Sequence, residues 1–188
     1  MPTITYDELI SSFLRKGEIL NLFTEDITDD MRNEFLWGLI YSAVSDPYVS
    51  RLFNSITIND PTEQLDETGE TIIDEVTGEP VIIEGHIEYE LVRKTTDSMD
   101  KLFITDVIGY GMIAQWLMPL VFSTVNLTQM YGTSAEKFYA QANHTAVNNE
   151  ILDKAIYLQR KIIRDRGLTN NSYIDGSSSS SKLRSGES

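Results

Sequence analysis

The stretch SMDKLFITDVIGYGMIAQWLMPLVF, residues 98–122, decides the fold class, because it makes up most of residues 98–131, the most apolar part of the chain. Its core, residues 107–122, contains Gln115 and Pro119 and is shorter than the ~20 apolar residues that cross a membrane. We therefore predict a helix that is buried in a protein core and broken near Pro119. Apolar side chains recur along the stretch at helical spacing: Leu102, Phe103, Val107, Ile108, Met112, Ile113, Trp116, Leu117, Leu120 and Val121.

Three helices are predicted before this stretch. Thr5 and Glu8 have the spacing of a capping box, so a first helix is expected from about Thr5 to Gly17. A second helix is expected from about Thr28. Asp46 followed by Pro47 is typical of an N-cap and a first helical residue, and predicts a short third helix.

The C-terminal part of the chain is predicted to contain one more helix and a tail. Thr133 and Glu136 form a second capping box, and Gly167 is expected to end this helix after Arg166 as a left-handed stop. Residues 168–188 are polar and include a run of serines, so they lack the apolar surface to fold alone.

The pattern changes from helical to strand-like between residues 55 and 93. Alternation at residues 56–59 and 87–92 predicts two strands, and a hairpin is predicted between them, with strands 71–75 and 81–84 and a turn at 76–79. An isolated hairpin is marginal in water, and this insertion has few aromatic residues. We expect it to project and to be completed by a neighbouring chain; a β-subdomain folded back onto its own helices is the alternative.

The predicted fold is mainly α. A helical bundle is formed by residues 1–54 and 94–167, which make up the helical body. Residues 55–93 form an inserted, β-rich acidic arm that contains a hairpin. Residues 168–188 form an extended, polar C-terminal tail.

Charge and composition exclude several classes of protein. The 188 residues include 15 basic and 29 acidic side chains, for a net charge of −14, so the body lacks the basic surface that binds nucleic acid. Residues 51–90 carry Arg51 as their only basic residue against eleven acidic ones, whereas residues 151–188 have a small basic excess. The absence of cysteine excludes disulfides, thiolate metal sites and cysteine nucleophiles. No signal peptide is predicted at the N-terminus.

No motif predicts a catalytic, cofactor or metal site. His86 and His144 have no metal-ligand spacing, and no glycine-rich nucleotide loop is present. Paired carboxylates occur in the insertion, but without the aromatic side chains that would desolvate them or stack on a sugar. We expect no enzyme. Calcium binding by the acids of residues 60–79 stays open, although the EF-hand spacing is missing.

The order of helical body, acidic β-arm, further helices and polar tail resembles the head-to-tail connector proteins (adaptor or neck ring) of tailed bacteriophages. The resemblance implies a structural virion protein, assembled in the host cytoplasm, that forms a ring, commonly of twelve subunits. It implies that the portal protein and other neck or tail proteins are partners, that no membrane is involved, and that DNA passes through without specific binding. It also implies an arm, residues 57–90, that contacts neighbouring subunits through Ile72, Ile73, Val81, Ile82, Ile83, Ile87 and Tyr89.

The same resemblance implies a role for the C-terminal tail. In such connectors the tail docks on the portal. The corresponding residues here are Leu168, Tyr173, Ile174, Leu183 and Arg184. The alternative to a connector is an acidic inhibitor that mimics DNA, which competes with DNA for a basic enzyme, whereas a connector does not.

Overall fold

The chain is mainly helical, with two small antiparallel sheets, in a computed structural model. The structure describes residues 1–17, 28–66, 69, 71–74, 80–130 and 135–169, and in the last two helices it describes side chains up to Phe122 and from Thr145 to Gly167. The helices and strands are β1 (Thr3–Thr5), α1 (Tyr6–Gly17), α2 (Asp29–Ser45), α3 (Pro47–Ser50), β2 (Phe53–Asn59), β3 (Thr62–Glu63), β4 (Ile82–Ile83), β5 (His86–Leu91), α4 (Asp97–Met130) and α5 (Ala135–Thr169).

Side-chain caps fix where the first three helices begin, as predicted. The Thr5 N–H donates to Glu8 Oε2 at 3.1 Å, and the Glu8 N–H donates to Thr5 Oγ1 at 3.3 Å, which completes the capping box. Thr28 accepts a hydrogen bond from the third residue of α2. Asp46 Oδ1 accepts from the Tyr48 N–H at 2.7 Å and so caps α3.

Helix α4 is central and packs against α1, α2 and α5. Two glycines let its neighbours approach closely: a Cβ on Gly109 would lie 2.7 Å from Ser12 Oγ, and one on Gly111 would lie 3.0 Å from Ala43 Cβ. Ser12 and Gln159 each donate a hydrogen bond to a main-chain carbonyl of α4. Helix α4 is thus packed on three sides, and it is also hydrogen-bonded to α1 and α5.

Pro119 does not break α4, contrary to the prediction. The helix continues to Met130. Leu117 and Val121, on either side of the proline, are buried in the core, so tertiary packing holds the helix where propensity alone would end it. The stretch Asp97–Phe122 is long and apolar enough to cross a membrane by composition, but 56% of its most apolar window is buried within the protein, as in a core helix.

Gly167 does not end α5, which extends to Thr169. The Gly167 carbonyl accepts a hydrogen bond from Arg93 Nη1 at 3.1 Å, so the last turn is anchored to the chain after β5. The predicted capping box of Thr133 and Glu136 lies outside the described residues.

Strand β5 lies in the centre of a three-stranded antiparallel sheet, between β1 and β2. Ile87 is opposite Ile4 on one side and Ile58 on the other. The predicted strands at 56–59 and 87–92 are therefore confirmed, and they pair with each other. Strand β1 was not predicted, because three residues directly before a helix give no alternation pattern. Together with the helices, the sheet encloses the largest fully buried side chains: Ile4, Tyr6, Leu9, Phe13, Ile40, Ile87, Tyr89, Ile104, Ile108, Met112, Ile113 and Leu117.

Candidate interaction surfaces

In the part of the chain that the structure describes, residues 60–85 extend from one end of the central sheet, and the name arm, predicted for residues 57–90, is kept for these residues. The arm begins at Asp60, which is fixed by two tyrosines of the helices. Tyr6 Oη donates to Asp60 Oδ1 at 2.9 Å, and Tyr41 Oη lies 2.8 Å from both carboxylate oxygens. Burial, together with the bond to Asp60, raises the pKa of Tyr6, and the bond to Asp60 raises that of Tyr41. Both hydroxyls therefore remain protonated donors at neutral pH.

The two ends of the arm meet at Gly85. The Gly85 carbonyl accepts from the Tyr6 N–H at 2.8 Å. A Cβ at Gly85 would lie 2.8 Å from both Pro61 Cδ and Tyr6 Cδ2, so only glycine fits between the incoming and outgoing strands. The base of the arm is thus a closely packed junction with α1.

Three short segments of the arm bond to each other in a closed cycle. The Gln64 N–H donates to the Val81 carbonyl, the Val81 N–H to the Ile72 carbonyl, and the Ile72 N–H to the Gln64 carbonyl, each at 2.8 Å. The predicted hairpin is correct only in part: Ile73 bridges Pro80, but Ile82–Ile83 pair with Thr62–Glu63. The predicted turn at 76–79 lies outside the described residues.

Aliphatic side chains are exposed on the arm. Leu65, Ile73, Ile82 and Ile83 are between 46% and 56% exposed. Ile72 and Val81, also predicted to contact a neighbour, are half-buried within the arm. The arm therefore presents apolar surface that its own chain leaves uncovered.

Two predicted contact residues are placed elsewhere, which corrects the prediction. Ile87 and Tyr89 lie on β5 and are fully buried in the core of their own chain, where Tyr89 contacts Phe53 edge to face. The strand itself is predicted from its alternation, but its place in the arm is implied only by its position in the resemblance to connector proteins. The buried side chains of β5 instead face the helices, so neither residue is available to another subunit.

The predicted docking tail falls almost wholly outside the described residues. Leu168 lies in the last turn of α5. Tyr173, Ile174, Leu183 and Arg184 lie outside the described part of the chain, so their assignment stays a prediction.

The arm is acidic throughout. Between residues 60 and 84 the sequence has nine acidic and no basic residues. Glu63 accepts a hydrogen bond from Thr71 Oγ1 at 2.8 Å, and Glu84 lies at the exposed start of the return to β5. Carboxylates thus flank the exposed aliphatic side chains.

A cavity of about 290 Å³ with three arginines lies at the other end of the central sheet, and sequence reasoning missed it. This arginine cavity is lined by Arg51, Leu52, Leu91, Val92, Arg93, Phe103, Ile163, Arg166 and Gly167. The sequence shows a basic excess in the C-terminal segment, but basic residues are also expected at the negative end of a helix, so the excess alone does not indicate a cavity. Arg51 and Arg93 gave no signal, because they are far from α5 along the chain.

Arg166 is held in one wall of the arginine cavity by Asp100. The two side chains form a buried ion pair, and the Thr95 hydroxyl and N–H also donate to the carboxylate. Burial disfavours the charged carboxyl, but the bonds from Thr95 and Arg166 outweigh it and lower the pKa of Asp100. The Arg166 guanidinium also lies 4.3 Å from the ring centroid of Phe103.

Arg51, which lines the arginine cavity, shares the Tyr48 ring with one further arginine, Arg160. The guanidinium carbons of Arg51 and Arg160 are each 4.7 Å from its centroid. Neither these two nor Arg93 forms an ion pair with a carboxylate that the structure describes. In a chain of net charge −14, this region is an exposed concentration of positive charge.

Comparisons with known proteins do not identify a function for these surfaces. No family model, no curated protein and no solved structure matches the chain. Over the described residues, no group of three or more histidine, aspartate and glutamate side chains is arranged to hold a metal ion. An assignment of function therefore depends on the geometry and charge of the arm and the arginine cavity.

Proposed function

We propose that this chain is a structural virion protein, which forms an oligomeric ring between the portal and the tail of a bacteriophage and provides a channel for the genome. The observation that carries the proposal is the arm: exposed aliphatic side chains on an acidic segment whose base is fixed to the helices by Asp60. In this role the chain performs no catalysis and needs no cofactor.

The physical reason to expect a neighbour is the uncovered surface of the arm. Strands β3 and β4 are two residues long and exposed, and short strands of this kind are marginal in water without further packing. Contiguous exposed apolar side chains mark interaction sites in soluble proteins. A neighbouring subunit would cover Ile73, Ile82 and Ile83 and leave the carboxylates at the edge of the contact.

The net negative charge supports the proposed channel for the genome. A ring through which DNA slides must not hold phosphates, and a surface with an excess of carboxylates repels them. In this proposal residues 168–188 dock on the portal, and DNA passes without specific binding.

Light scattering and negative-stain electron microscopy test the proposal. The wild-type chain, alone or mixed with its portal, is expected to form a ring. The variant Ile73→Ser/Ile82→Ser/Ile83→Ser should remain monomeric. The matched control Met31→Ser/Met99→Ser/Leu102→Ser changes three apolar residues elsewhere that are somewhat more exposed, and should still assemble. A wild-type chain that stays monomeric both alone and with the portal would overturn the proposal.

The second candidate is an inhibitor that mimics DNA, and the nine acidic residues within the 25 positions of residues 60–84 favour it. Their clustering on an arm, instead of regular spacing on one rigid face, and the basic C-terminal segment count against it. Competition between this protein and DNA for a basic DNA-binding enzyme discriminates the two. Competition at physiological salt supports the inhibitor, and its absence supports the connector.

A further inference from the structure

The arm and the arginine cavity lie at opposite ends of the same pair of strands. Strands β2 and β5 are antiparallel: Asn59 is opposite His86 where the arm begins, and Phe53 is opposite Leu91 at the arginine cavity. Six residues of extended strand separate the two ends by about 20 Å. None of the arm residues that the structure describes lines the arginine cavity of its own chain.

The two surfaces are chemically complementary. The arginine cavity combines apolar side chains, such as Val92 and Phe103, with the guanidinium groups of Arg51 and Arg93. The arm combines exposed isoleucines with flanking carboxylates and has no basic residue. An isoleucine side chain of the arm fits a volume of about 290 Å³, and its neighbouring carboxylates would then face the arginines.

We infer that the arginine cavity of one copy receives the arm of a second copy of this chain. The inference rests on the proposed function and names the surface that the arm contacts. Because arm and cavity are different surfaces at opposite ends of the sheet, the contact can repeat head to tail from one copy to the next. Head-to-tail contacts generate a ring when the rotation closes, so the positions of the two surfaces agree with the proposed ring.

Cross-linking of introduced thiols tests the contact directly, since the chain has no cysteine of its own. The variants Ile83→Cys, on the arm, and Val92→Cys, at the arginine cavity, each carry one exposed thiol. Mixed under oxidising conditions, they should give a mixed dimer about tenfold more abundant than Ile83→Cys mixed with Met31→Cys. Met31 is similarly exposed but lies far from the arginine cavity. It is in the first turn of α2, about 24 Å of helix away from α3, which directly precedes the cavity residue Arg51.

Charge reversal gives a second test. Its readout is the recovery of assembly when two variants are mixed, which a loss of folding in either variant would not produce. Arg51→Glu/Arg93→Glu and Glu63→Lys/Glu84→Lys should each weaken assembly about tenfold or more. Mixed in equal amounts they should assemble again, because the charges at residues 63 and 84 of each arm can then meet opposite charges at residues 51 and 93 of the other variant. The control Arg32→Glu/Arg164→Glu reverses two arginines outside the arginine cavity and should leave assembly unchanged.

The outcomes separate this inference from the proposed function. One outcome would overturn this inference alone. The isoleucine variants of the arm would abolish the ring while the arginine variants would not, and Ile83→Cys would link no better to Val92→Cys than to Met31→Cys. The arm would then contact another surface. If the wild-type chain never assembles and gives no cross-link, both fail. Recovery in the mixture, with preferential linking to Val92→Cys, establishes the contact.

Discussion

Tyr41 and Asp60 join the second helix to the first residue of the arm: the tyrosine hydroxyl lies 2.8 Å from both oxygens of the carboxylate. Tyr6 adds a third bond from the start of α1. The arm is therefore not a loose loop at its origin. Its direction relative to the helices is set by a junction that one substitution can disconnect.

Replacing Asp60 by alanine should loosen the arm more than it destabilises the fold. Both tyrosine hydroxyls lose their acceptor, and that of Tyr6 is mostly buried, so a loss of about 1–2 kcal/mol is expected. Urea unfolding measures the loss, and hydrogen exchange at Gln64 and Val81 should accelerate. Asp153→Ala removes an equal charge from the exposed side of α5, and should change neither the free energy of unfolding nor the exchange rates at Gln64 and Val81. Unchanged exchange in the Asp60 variant would show that the junction does not hold the arm.

Two glycines should respond oppositely to alanine. Gly85→Ala places a Cβ 2.8 Å from Pro61 and Tyr6, so overpacking is expected to cost about 1–3 kcal/mol. Gly38 lies inside α2 with no atom within 4 Å of a Cβ, so Gly38→Ala should stabilise the protein by up to about 1 kcal/mol. Thermal unfolding measures both. A neutral Gly85→Ala would mean that the two ends of the arm are not in close contact.

Asp100→Asn should destabilise the protein at neutral pH by about 2–4 kcal/mol, because it leaves the partly buried Arg166 without its charged partner. Since folding lowers the pKa of Asp100, the stability that this carboxylate contributes is present above its unfolded value of about 3.9. That contribution is lost as the pH falls through the lower value of the folded state.

Urea unfolding between pH 7 and pH 2 measures this dependence. The stability difference between wild type and Asp100→Asn should be constant from pH 7 to about pH 5 and shrink below about pH 4. Asp153→Asn serves as the control, since Asp153 is exposed on α5. A difference that stayed constant down to pH 2 would exclude a charged Asp100 as the source of the stability.

Tyr89→Phe should stabilise the protein, although Tyr89 is fully buried in the core. Its hydroxyl has no hydrogen-bond partner in the described part of the chain, and burial, with the nearby charges of Asp100 and Asp97, raises its pKa to about 12. Removing an unpaired buried hydroxyl is expected to add about 0.5–2 kcal/mol. Tyr6→Phe is the matched comparison and should destabilise, because the Tyr6 hydroxyl does bond Asp60. Equal effects of the two changes would contradict this assignment.

Local signals in the sequence predicted the local structure well. The capping box of Thr5 and Glu8 and the cap at Asp46 involve residues two or three positions apart, and the structure confirms both. The helical stripe of residues 98–122 also predicted a buried helix, and α4 confirms it.

Features that depend on distant residues could not be predicted in this way. Strand β1 exists because Ile4 pairs opposite Ile87, more than eighty residues away. Pro119 stays helical because the core holds both sides of it. Ile87 and Tyr89 alternate like residues of an exposed hairpin, and only the pairing of β5 with two strands shows that they are buried. The arginine cavity likewise brings together four segments that are separated along the chain, so no local pattern predicts it.

The attachment of the arm to both β2 and β5 also determines how the protein bears mechanical load. Tension on the arm enters the body along two strands at once, so the covalent chains of β2 and β5 carry the force together. At the far end of β5 the chain continues through Arg93, which is hydrogen-bonded to the last turn of α5. In the proposed ring, a pull on the arm would therefore be transmitted along the two strands to the arginine cavity, where the next subunit is proposed to bind.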